Sequence, residues 1–109
     1  MKRNDLIEKL NLGLLTPQED PNREVSGVYI GDLLSRVMSH AGENDVWITI
    51  MQNINVAAVA LLCDVSAVIL CEGVRPDEDL LERAKKENIC LLSSPLSAYE
   101  LAVSISKLL

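Results

Sequence analysis

Phenylalanine is absent from these 109 residues, and aromatic side chains make up only 3% of them: Trp47, Tyr29 and Tyr99. Proteins that grip single-stranded nucleic acid stack bases on exposed rings, and this chain has almost none to offer. It also lacks a basic excess. Ten Lys and Arg stand against sixteen Asp and Glu, a net charge of −6, which repels phosphate backbones and anionic membranes. Long apolar runs are missing as well. The longest, Val56 to Cys63, is far short of the roughly 20 residues that span a bilayer. The opening "MKRNDLIEKL" turns acidic at once and has no apolar stretch of the signal-peptide kind, so a cytoplasmic location is expected. Neither nucleic acid nor membrane is an expected partner.

The absences extend to chemistry. No G-x-x-x-x-G-K-[ST] or G-x-G-x-x-G run occurs, which removes the usual phosphate-cradling loops. His40 is the one histidine and stands at a helix end before Gly42, where the helix dipole favours it on the surface. Cys63, Cys71 and Cys90 are odd in number, each lies within an apolar segment, and no C-x-x-C spacing occurs. They read as buried free thiols. No metal-ligand spacing is present. Ser93 and Ser94 have no basic partner near in sequence, and Glu72 has no second carboxylate. Neither an enzyme activity nor a cofactor is expected.

What is present is an aliphatic core of Leu, Ile, Val and Ala, with 49% hydrophobic residues and a mean hydropathy of +0.19. The length suits one domain spanning 1–109. Residues 1–23 read as a short helix (5–10, capped by Asn4), a brief strand in "GLLT" (13–16) and a Pro-rich loop or mobile arm (17–24). From residue 24 onward strands and helices alternate. Strand 25–30, with Gly27 as a bulge or close-approach point, leads to helix 32–40, capped by Asp32. The run "DVWITI" (45–50) is apolar on consecutive residues, as in a strand buried on both faces. Helix 55–64, capped by Asn55, is apolar nearly all round. Then follow strand 67–71, helix 75–88 with Pro76 near its first turn, strand 89–92 and helix 93–109. The last helix offers Ser94 as one cap and a Ser97–Glu100 capping box as another, with Leu96, Tyr99, Ala102, Val103 and Ile105 on its inner face. This alternation predicts an α/β fold. It is a three-layer α/β/α arrangement with a small, mostly parallel sheet of four to five strands and flanking helices.

Ligands of open parallel sheets bind beyond the carboxyl ends of the strands. Those ends supply the candidate ligand-binding residues: Gly31 and Asp32, Gln52, Asn53 and Asn55, Glu72 and Gly73, Ser93 and Ser94. The set is small, uncharged or acidic, and rich in hydrogen-bonding groups. It suits a small polar or nucleotide-like ligand. The same residue types also cap helices, and both readings stand at this point.

The stretches "GDLLSRVM", "VWITIMQNINVAAVA" and "AVILCEGVRPDEDLLERAKKENICLLSS" resemble the DRTGG domain family, and the likeness runs over residues 24 to 103. The naming motif itself is replaced: "EVSGVYIG" stands near 25–30, and only Gly27 matches. The family contains small α/β modules joined to CBS domains or phosphotransacetylases, and stand-alone chains. It is similar to the N-terminal, non-catalytic domain of HPr kinase/phosphorylase. The resemblance implies a stand-alone, non-catalytic regulatory or ligand-sensing module. As the alternative, the resemblance points to a protein-interaction subunit of a redox, hydrogenase-like enzyme system without a small ligand. The high apolar content of so small a domain adds the expectation of a homodimer or a separate protein partner.

Overall fold

The structure is a computed structural model and describes residues 1–109. In chain order the elements are α1 (Arg3–Lys9), β1 (Gly13–Leu14), β2 (Gly27–Ile30), α2 (Leu34–His40), β3 (Asp45–Thr49), α3 (Asn55–Cys63), β4 (Ala67–Leu70), α4 (Glu78–Lys86), β5 (Leu91–Ser93) and α5 (Ala98–Ser106). The five strands form one sheet in the order β1-β5-β4-β3-β2. Strands β2 to β5 are parallel, and β1 alone runs antiparallel, pairing Gly13 with Ser93 and Leu14 with Leu92.

The apolar runs explain the layers. Side chains alternate across a strand, so each continuous run supplies both faces. On one face Trp47, Val68, Leu70 and Leu91 pack with Val37, Val56, Ala60, Leu80 and Ala84, which belong to α2, α3 and α4. On the other, Val46, Ile48, Ile69 and Leu92 pack with Leu6 and Ile7 of α1 and Leu101 and Ile105 of α5. The expected three-layer α/β/α fold is therefore the observed one. Trp47, Ile48, Ile69 and Leu70 are fully enclosed, and burial of each such side chain contributes about 1.5–3 kcal/mol.

Several boundaries differ from the sequence reading, and each has a physical cause. Helix α1 begins at Arg3, and Asn4 does not cap it. The amides of Arg3 and Asn4 instead donate to the carbonyls of Arg23 and Pro21, so the 17–24 loop supplies the cap from outside the helix. That loop is strapped down rather than free, with a Lys2–Glu24 bridge beside it. Helix α4 starts at Glu78, after Pro76, and the last helix starts at Ala98 rather than residue 93. The expected Ser97–Glu100 capping box is present, with both reciprocal bonds formed. Tyr99 is 77% exposed, against expectation, because α5 docks along Leu101 and Ile105. Gly27 is a close-approach point, since a Cβ there would meet the Asp45 carboxylate at 2.6 Å.

Helices α2, α3 and α4 share one face, whereas α5 lies on the other. The connections leaving the adjacent strands β4 and β5 consequently part in opposite directions. Divergence of this kind opens a crevice at the carboxyl edge of an α/β sheet.

Candidate functional site at the carboxyl edge of the sheet

A cavity of about 280 Å3 occupies that crevice, lined by Leu15, Gly73, Val74, Arg75, Pro76, Ser93, Ser94 and Pro95. Its two walls are bonded to one another. The amide of Glu72 donates to the Leu96 carbonyl at 2.8 Å, and that of Gly73 to the Ser94 carbonyl at 2.9 Å. Making both bonds requires a sharp reversal after β4. Glu72 and Gly73 accordingly have φ of 58° and 70°, two left-handed residues in succession. Glycine accepts this conformation freely; glutamate takes it at a cost, held by the bond to Leu96. Ser94 is buried, and its Oγ accepts the Leu96 amide at 3.1 Å, which fixes the turn into α5. It is a turn residue and not the helix cap expected of it. Ser93 is half-buried beside Gly13, where any Cβ would strike the Ser93 hydroxyl.

Of the nine sequence candidates, Gly73, Ser93 and Ser94 line the cavity, and Glu72 shapes its rim. Gln52 supports the site from behind. Its side-chain Nε2 donates to the Arg75 carbonyl at 2.6 Å, and its backbone carbonyl accepts the Asp77 amide at 2.9 Å. Asn55 does not cap α3, whose N-cap is Ile54; Asn53 shapes the turn into the helix, its Oδ1 accepting the Asn55 amide at 2.9 Å. Asn55 itself is exposed at the first position of the helix. Gly31 and Asp32 lie apart, at the end of the edge strand β2. Asp32 does not cap α2. Its Oδ1 accepts the Thr49 hydroxyl at 2.8 Å and the Ile50 amide at 3.0 Å, tying β2 to β3. The Gly31 carbonyl accepts the Trp47 indole N–H at 2.9 Å.

Arg75 lies five residues beyond β4 in chain order, outside the strand-end positions that the sequence pattern singles out. It is the one basic side chain among those lining this cavity. The readable signal was a lone arginine in an otherwise acidic strand-to-helix connection. The acidic first turn of α4, Glu78 and Asp79 preceded by Asp77, already complements the helix dipole. That leaves Arg75 as the cavity's centre of positive charge. No three His, Cys, Asp or Glu side chains converge in a metal-holding group, and no helix is long and apolar enough to cross a membrane.

The three thiols are free and buried. Burial pushes each of them up from 9.0, and the Glu72 carboxylate pushes Cys71 further in the same direction. Protonated and enclosed thiols are poor nucleophiles and poor metal ligands.

Comparison with known proteins agrees with this architecture. The chain superposes with a TM-score of 0.73 on the crystal structure of the CBS and DRTGG domains of the regulatory region of Clostridium perfringens pyrophosphatase, complexed with its activator diadenosine tetraphosphate. Identity is 19%, and the match covers 94% of this chain but 45% of that one. The chain thus spans under half the length of that regulatory region. No curated protein matches it. The family model for the DRTGG domain matches residues 5–108, and the chain belongs to the DRTGG domain family.

Proposed function

We propose that this chain is a non-catalytic regulatory module that senses a small polar, nucleotide-like ligand in the cavity between the β4–α4 and β5–α5 connections. One observation carries the reading: those two connections part to opposite faces of the sheet and leave a cavity of about 280 Å3 lined by Arg75, Gly73, Ser93 and Ser94. That volume is just below the roughly 300–1,000 Å3 of sites for drug-sized ligands, so the cavity suits part of a nucleotide with the rest lying outside. Arg75 offers a charged contact for a phosphate, and the Ser93 hydroxyl a neutral one. The pyrophosphatase regulatory region supports a nucleotide as the ligand class, since its structure holds diadenosine tetraphosphate as activator. Bonding between the two walls gives a ligand a route to influence the arrangement of α4 and α5.

Calorimetric titration with AMP, ATP and diadenosine tetraphosphate tests the reading. Saturable binding, weakened at least tenfold by Arg75→Gln and by Ser93→Ala, is the expected result. Binding of none of them, or binding unchanged in both variants, refutes it.

A protein-interaction role is favoured by a separate observation. Leu33, Met38, Leu61 and Leu62, all on or next to α2 and α3, are large apolar side chains left exposed. We assign this face to a second copy of the chain in the cytoplasm. Light scattering should then give twice the 12.0 kDa protomer mass, falling to the protomer mass in Leu62→Glu. A protomer mass for the unaltered chain overturns it. The redox, hydrogenase-like association gains nothing from the three buried thiols.

A further inference from the structure

At the opposite edge of the sheet lies a second cavity, of about 200 Å3, whose lining includes Arg3, Arg23, Asp64, Ser66, Glu87 and Cys90. Its lining carries two arginines and two carboxylates, but neither carboxylate is paired with Arg3. The Asp64 carboxylate is held by Arg23 Nη2 at 2.9 Å, and the Glu87 carboxylate by Arg83 Nε at 3.3 Å. Arg3, only 5% exposed, has no carboxylate partner. Its guanidinium donates to three neutral acceptors: the carbonyls of Ser66 and Asp20 and the Gln18 Oε1. A buried cation without a counter-charge is costly. Each guanidinium carries five N–H donors. Arg3 spends three of them, and Arg23 spends three on Asn44 and Asp64, so two remain on each. Independently, Ser66 lines the same cavity at 1% exposure, and its hydroxyl is the one buried side-chain polar atom with no hydrogen-bond partner in the protein. Unpaired buried hydroxyls are uncommon, because each forfeits its hydration without return.

A buried arginine without a carboxylate partner, free donors on both arginines and the unpaired buried hydroxyl of a lining residue border a volume too small for a drug-sized molecule. We infer that this cavity is an oxyanion site, in which Arg3, Arg23 and Ser66 hold a tetrahedral phosphoryl group. Arginine suits that role because its planar fork matches adjacent phosphate oxygens. The anion supplies the counter-charge that Arg3 lacks and the partner that Ser66 lacks. Free phosphate fits whole. A nucleotide would insert its terminal phosphate and leave the nucleoside outside. The site is separate from the carboxyl-edge cavity and does not depend on the reading of it.

The test is thermal unfolding and phosphorus-NMR titration with inorganic phosphate and, in a second arm, AMP, each against sodium chloride of matched ionic strength. Arg3→Met removes three hydrogen bonds at once and is expected to compromise folding, so Ser66→Ala and Arg23→Gln carry the test. Phosphate should raise the melting temperature saturably where chloride does not. Both variants should weaken its apparent affinity at least tenfold, and Lys9→Gln, which removes an exposed charge that lines neither cavity, should leave it unchanged. In phosphate-free buffer Ser66→Ala should be as stable as the parent or more so, since it removes an unpaired hydroxyl. Tighter binding of AMP than of phosphate, with the same variant dependence, identifies a nucleotide as the source of the phosphoryl group. Tighter binding of phosphate identifies the free ion. The inference is overturned if phosphate acts no differently from chloride, if Ser66→Ala and Arg23→Gln bind as the parent does, or if Lys9→Gln abolishes the effect.

Discussion

Replacing Asp32 by serine separates two roles for this residue. Ser, Asp and Asn are nearly equivalent helix caps, so a capping Asp32 would lose a few tenths of a kcal/mol at most. The structure places its Oδ1 instead across the carboxyl ends of β2 and β3, accepting from the Thr49 hydroxyl at 2.8 Å and the Ile50 amide at 3.0 Å. A hydrogen bond to a charged group contributes about 1.5–3 kcal/mol. Asp32 is exposed, so water competes for its carboxylate and the lower end applies. Thr49 is buried and its Oγ1 also accepts the Met51 amide at 3.2 Å, so the turn after β3 is disturbed with it. Serine is too short to reach either donor. The expected loss is about 2 kcal/mol, and about 1 kcal/mol for Asp32→Asn, which keeps the oxygen and loses the charge. For a domain of this size each kcal/mol lowers the melting temperature by about 4–8 °C. Urea unfolding read by fluorescence is well suited, because Trp47 is the only tryptophan and is fully buried. The order parent, Asn, Ser supports the strand tie. Three curves within 0.5 kcal/mol of each other, the signature of a cap, would refute it.

Other outcomes follow from single features. Gly73→Ala should cost about 1 kcal/mol from left-handed strain alone, because φ is 70° and a Cβ there meets nothing within 4 Å; an unchanged urea midpoint contradicts this. Leu101→Ala should cost about 2–5 kcal/mol, since Leu101 is one of the two fully buried residues of α5; a loss under about 1 kcal/mol would mean that α5 is not docked. The native thiols sit above 9.0, so near and above that pH the folded chain holds more protons than the unfolded one. Stability should therefore be unaffected by them below pH 9 and fall as pH rises beyond it. Native Cys90 should also resist alkylation until the chain unfolds, and fast labelling at pH 8 would contradict its burial. Ser97→Ala breaks the capping box and should cost about 1 kcal/mol, with a negligible change counting against it.

Much of the fold was legible because the strands are unusually plain. "DVWITI" and "AVILC" are apolar on successive residues, which only a sheet covered on both faces can bury, and α4 wears its charges in dipole order. The capping box was equally readable, being local to four residues. Asp32 and Asn55 read as caps because their residue types commonly end helices; Asp32 instead reaches the neighbouring strand, and Asn55 sits at the first helical position with its amide bonded to Asn53 Oδ1. Periodicity puts Tyr99 on the inner stripe of the last helix, because it supplies a stripe but not which edge of it meets the sheet.

The amino-acid sequence by itself determined the element order, the parallel sheet, the aliphatic core and the membership in the DRTGG domain family, since each rests on local pattern. Only the tertiary structure decided that α5 crosses to the face opposite α4, and hence that Gly73, Arg75 and Ser93 share a cavity. It alone brought Arg3, Arg23 and Ser66 to one place, from positions spread over 63 residues of chain. The physical reason is the same in both cases. Local preference acts over one turn or one strand, whereas charge balance and hydrogen-bond satisfaction are properties of whatever the folded chain brings into contact.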